Sequence, residues 1–219
     1  MKNLPILISS LTLLSLNAVG LSQVQAQTSG FTTLNIPISF SGSGCPPQAT
    51  LGPPQGTLQA VINGDTLSIT SSSALEAKAS RPNVVSKSCN FRIGLNVPSG
   101  FNVQPISVNY LGFADVPKGG SADLDVKILF KGREVATTNN PNQTFRAGFS
   151  DVWSKDVGLV LNPINACRNP VSSVFGINST LTANARNIPK GQETQIRIDT
   201  IDTTIGPVLF QIKFAFNPC

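Results

Sequence analysis

From Val208 onwards every second residue is apolar: Val208, Phe210, Ile212, Phe214 and Phe216, with Gln211, Lys213 and Ala215 between the later ones. Successive side chains on a strand point to opposite faces, so this segment predicts one apolar sheet face five residues long. It runs into Cys219, and a cysteine there suits a bridge that holds a strand end otherwise prone to fraying. A chain that ends this way is constrained towards a stapled, all-β core.

The same alternation recurs along the chain. Leu34, Ile36, Ile38 and Phe40 form one such set, and Pro37 among them predicts an edge strand because proline cannot donate to a ladder. Phe91 to Val97, Ala122 to Phe130 and Phe175 to Ala183 form others, with Asp123, Asp125 and Lys127 facing water. Asn63-Gly64-Asp65 predicts a tight hairpin, and Lys118-Gly119-Gly120 a turn. Gln104-Pro105 shifts the parity before Ile106, Val108 and Tyr110, which predicts a bulge. Ser73–Ser80 has helix-forming residues yet also alternates, and stays ambiguous. Thr194–Thr200 and Val208–Phe216 read as a final pair of strands. About ten strands separated by turn signals, with no helical crossover, predict an antiparallel β-sandwich of jelly-roll type.

Met1–Ala26 has the layout of a cleaved signal peptide. Lys2 precedes a broken apolar stretch, and Val24-Gln25-Ala26 is a small-residue cleavage site, so exported protein is expected to begin at Gln27. That leaves residues 27–219 as a single secreted domain, large enough to bury a substantial core, with no later apolar run of membrane-spanning length. Lys2 leaves with the signal, so 15 Lys and Arg face 11 Asp and Glu. This net charge of about +4 permits an anionic partner without requiring one. Export implies oxidised cysteines, and four of them allow three pairings. Joining sequence neighbours gives Cys45–Cys89 and Cys167–Cys219, across separations of 44 and 52 residues. Zinc is the weaker alternative, because the chain has no histidine and no C-x-x-C pair.

Gly42-Ser43-Gly44-Cys45-Pro46, Lys87-Ser88-Cys89, Tyr110-Leu111-Gly112, Asp199-Thr200-Ile201-Asp202 and a final cysteine preceded by an aromatic occur in this order. In that order they resemble a secreted family of bacteria and fungi catalogued as domain of unknown function 4360. The likeness spans about Phe40 to Cys219. Cys167 follows Ala166 and precedes Arg168 where the family has Pro and Gly, and Phe216 stands where tryptophan is usual. The resemblance implies secretion and a disulfide-bonded β-domain, and it supplies no activity.

Without histidine there is no Ser-His-Asp or Cys-His arrangement, and bridged cysteines are not nucleophiles. Two carboxylates suffice for a glycoside hydrolase, and Asp199 with Asp202 is the pair to examine; their plainer role is turn chemistry. Asp123 and Asp125 offer oxygen ligands for calcium, but alternating charge on a solvated strand is the commoner explanation. A carbohydrate-binding module would need an exposed aromatic platform, and Trp153 is the single tryptophan available. Asn142 and Asn178 open glycosylation sequons, meaningful only in a host that glycosylates exported proteins. Basic residues are scattered without interleaved aromatics, so nucleic acid is not an expected partner. The expectation is a non-catalytic extracellular or cell-envelope domain without cofactor, in contact with an anionic polymer. A carboxylate-based hydrolase or a carbohydrate-binding module is the alternative.

Overall fold

The computed structural model describes residues 38–45, 59–71, 73–199 and 208–219. The signal-like segment Met1–Ala26, Leu34 to Pro37 and Asp202 lie outside them. One sheet has the strand order β1 (Ile38–Ser41), β5 (Val84–Val97), β13 (Val171–Asn184), β7 (Ser121–Phe130) and β10 (Gln143–Arg146), with β8 (Arg133–Glu134) folded back on β7. The other runs β2 (Gln59–Asn63), β3 (Thr66–Thr70), β15 (Val208–Pro218), β6 (Phe101–Asp115), β11 (Ser150–Val160) and β9 (Ala136–Thr137). In the same sheet β4 (Leu75–Ser80) joins through β14 (Glu193–Ile198), and β12 (Ile164–Asn165) pairs with β6. Every pairing is antiparallel. β1 is an edge strand, next to the position that Pro37 marks.

Several local readings resolve. Residues 75–80 form a strand in which Leu75, Ala77 and Ala79 are buried and Glu76, Lys78 and Ser80 exposed. Pairing with β14 and burial of that face override the residues' helix propensity. The β2–β3 loop is Gly64-Asp65, one residue beyond the Asn-Gly pair, and only Gly64 has positive φ, as a II′ turn requires. A register shift in the β15–β6 ladder leaves Ile106 extra between Pro105 and Ser107, which is the bulge predicted there.

The final pair needs correction. β14 and β15 do not bond to each other. Both lie against the same side of β6, β14 opposite Gly112–Asp115 and β15 opposite Phe101–Asn109. The Asp199 N–H continues the rail by donating to the Leu111 carbonyl at 3.0 Å. Alternation alone cannot distinguish two neighbouring strands from two collinear halves of one rail.

Inward faces of the two sheets meet through a run of aromatic contacts. Phe91 of the first sheet touches Phe210 of the second at 5.4 Å between centroids; Phe210 meets Tyr110 at 5.6 Å and Tyr110 meets Trp153 at 6.4 Å. Trp153 then reaches Phe145, back in the first sheet, at 5.4 Å. These rings are large apolar bodies in edge-on or tilted contact, the arrangement that adds to simple burial.

Tyr110 is fully buried, its hydroxyl donating to the Pro141 carbonyl, and desolvation pushes its phenol well above the ordinary range. A raised folded value favours the neutral form. Its stabilising contribution is therefore complete below the unfolded value near about 10 and lost as pH rises beyond it. As the single tyrosine, Tyr110 can be followed by tyrosinate absorbance: native protein should resist ionisation, and denatured protein should titrate near about 10. Identical curves for the two states would refute this.

Candidate functional site

Of the residues singled out from the sequence, Trp153, Asp199, Asp123 and Asp125 lie among the described residues and Asp202 does not. Trp153 is only 9% exposed and packs between Tyr110 and Phe145, so its ring offers no platform to solvent. Asp199 stands just past β14, its Oδ2 3.8 Å from Arg197 Nε, and the Arg197 guanidinium lies 5.4 Å from the Phe113 ring. Asp123 and Asp125 are exposed on β7, and Asp123 accepts a hydrogen bond from Thr144 Oγ1 at 2.8 Å. Among the described residues no three His, Cys, Asp or Glu side chains gather as metal ligands would.

The two disulfides are Cys45–Cys89 and Cys167–Cys219. Around them the sequence motifs meet in pairs. The Gly44 N–H donates to the Ser88 carbonyl at 2.9 Å, and the Ser88 N–H donates to Ser43 Oγ at 3.3 Å, beside the first bridge. A Cβ on Gly42 would lie 2.1 Å from the Ser88 oxygen, so the glycine permits the contact. Likewise Leu111 receives the Asp199 amide, and Gly112 lies against Arg197. These motifs fasten backbone to backbone.

A different constellation appears at one end of the sandwich. Four connections converge there: 81–83, 116–120, 147–149 and 185–192. They are stitched by Val116 N–H to Phe149 O (2.8 Å), Gly148 N–H to Val116 O (2.7 Å) and Ala185 N–H to Asn83 O (2.9 Å). Gly119 fits so closely that a Cβ would sit 2.3 Å from Asn187 O. These connections carry Arg81, Lys118, Arg186 and Lys190, with Arg146 at the adjoining end of β10. All five are exposed, and among the described residues none joins an ion pair. Two clefts, of about 640 and 550 Å³, flank residues 191–193; Arg81 and Lys190 line the first, Lys118 the second. Apart from Arg186 and Lys190, the cations are far apart in sequence, each set among Pro, Gly or Asn, so the only sign of them was turn residues repeatedly accompanied by a positive charge.

Two carboxylates, Asp115 and Glu193, also line the second cleft. Glu193 is held in its charged form. A hydrogen bond from Lys78, at 2.6 Å, and one from Ser80 lower its pKa below the usual carboxylate value. A glycosidase acid needs the opposite shift, upward, to carry a proton at working pH. Glu193 is shifted the other way, whereas the exposed cations supply a field suited to anions.

Taken together, the fold and its loops define an antiparallel β-sandwich closed by two disulfides, with one basic end. The chain belongs to the family described as Domain of unknown function (DUF4360), which matches residues 36–219. No curated protein matches it.

Proposed function

We propose that this is an exported, non-catalytic domain that binds anionic polymers of the cell envelope or extracellular matrix through its basic end. The observation that carries the reading is the convergence of Arg81, Lys118, Arg146, Arg186 and Lys190, exposed and without ion-pair partners among the described residues, around two clefts. Export is supported by the signal-like layout of Met1–Ala26 and by two disulfides, which persist in oxidising compartments. Attraction of this kind is screened over roughly 8 Å at physiological salt, so binding fades as salt rises.

Titration against polygalacturonate, with neutral dextran as control, tests this. Binding should be measurable at low salt, weaken at several hundred millimolar salt, and be absent for dextran. Replacing Arg81, Lys118 and Lys190 together by Ser should weaken it by about threefold or more, since exposed charge pairs contribute roughly 0.2–1 kcal/mol each. Salt-independent binding, or a triple variant that binds like the parent, would overturn the reading.

A further inference from the structure

The opposite end of the sandwich carries a second, chemically different concavity. There the β7–β8 hairpin turns through Lys131-Gly132, whose φ values are 51° and 75°. A two-residue loop with both residues at positive φ is a I′ turn, where Asn, Asp or Gly is the usual first residue. Lys131 is the only non-glycine residue at positive φ among the described residues. A long β-carbon side chain is disfavoured in that conformation. Its placement sets the ammonium 5.5 Å from the centroid of the Phe130 ring.

Beneath this turn the ends of the two sheets leave a cleft of about 470 Å³. Its walls are apolar: Phe130 from the first sheet, Val160 and Leu161 from the end of β11, and Val135 and Ala136 where the chain passes between sheets. Val160 remains 61% exposed. Lys131 and Arg133 stand at the cleft against a single acid, Glu134, and neither cation has an ion-pair partner among the described residues. The volume lies within the roughly 300–1,000 Å³ of small-molecule sites, which combine apolar walls with a few polar groups that fix orientation.

We propose that this cleft binds a free amphiphilic anion, an aliphatic or aromatic body bearing one carboxylate or sulfonate. The body lies against Phe130, Val160 and Leu161, and the head meets Lys131 and Arg133. Two cations against one acid select a negative head over a neutral or positive one, and concavity between sheet ends selects a single molecule over a membrane surface.

The test uses the full exported chain and the dye 8-anilinonaphthalene-1-sulfonate, displaced by dodecanoate, with dodecanol as the uncharged control. Saturable dye fluorescence displaced by dodecanoate and poorly by dodecanol is expected. Lys131→Gly combined with Arg133→Gln should weaken dodecanoate by about tenfold. Glycine suits positive φ, so the thermal midpoint should not fall and a folding defect is excluded as the cause. Val160→Asp, at an exposed position, should weaken both dye and dodecanoate. The Arg81, Lys118 and Lys190 variant should leave dye binding unchanged. Equal competition by dodecanol, unchanged affinity in the hairpin variant, loss of dye binding in the basic-end variant, or binding only to phosphatidylglycerol vesicles would each overturn the proposal.

Discussion

Replacing Cys167 and Cys219 together by Ser is expected to lower the unfolding free energy by about 2–5 kcal/mol. The bridge spans 52 residues, for which the chain-entropy account gives about 4 kcal/mol through its effect on the unfolded chain. In the folded state it closes a corner already built by hydrogen bonds. Cys219 N–H donates to Gly100 O at 3.0 Å, Gly100 N–H to Ala166 O at 2.9 Å and Ala166 N–H to Phe101 O at 2.9 Å. This corner joins the end of β15 to the start of β6 and to β12. Removing the bridge therefore frees the unfolded chain and lets the native corner fray first. Urea unfolding of the oxidised parent and the double variant measures the change, and using both serines avoids an unpaired thiol. A loss under about 1 kcal/mol would mean that the corner hydrogen bonds alone hold the strand end.

The sheet faces and both disulfides were legible in the sequence because their signals are local or arithmetical. Leu75, Ala77 and Ala79 fall on one side by periodicity alone, and neighbouring cysteines paired as their order suggested. What was not legible depends on distance in the fold. Arg81 and Lys190 are separated by about half the chain, yet line one cleft, because β4 pairs with β14 and brings their loops side by side. Lys131 reads as an ordinary surface lysine until its φ is known. Asp199 attracted interest as a carboxylate; its backbone amide on Leu111 and its side chain near Arg197 give it a place in the β6 rail. Trp153 stands on the inward face of β11, where Gly112 makes room for it.

That last contact carries the second large effect. Gly112→Ala is expected to destabilise the fold by about 3 kcal/mol, at or beyond the upper end of overpacking costs. The Gly112 backbone does not itself require glycine, since its φ is not positive. The requirement is space. A Cβ at Gly112 would lie 1.9 Å from Arg197 O and 2.6 Å from Trp153 Cζ2. The ring has some freedom to shift, but the carbonyl belongs to the β14 backbone, which is hydrogen-bonded to β6 and to β4. Relief therefore means moving β14 off β6, with Ile196 and Ile198 in the core on its other face. At roughly 2–4 °C per kcal/mol for a domain of this size, the thermal midpoint should fall by about 6–12 °C. Gly176→Ala is the control. Its Cβ would come within 3.1 Å of Arg92 Nη1 and 3.2 Å of Leu129 Cβ, contacts that need shifts of only a few tenths of an ångström, so the cost should be smaller than at Gly112. Truncating Trp153 in the Gly112→Ala background should not restore stability, because the closer clash is with backbone. Restoration by that truncation, or a Gly112→Ala midpoint within about 2 °C of the parent, would mean that β14 is not held against β6 as described.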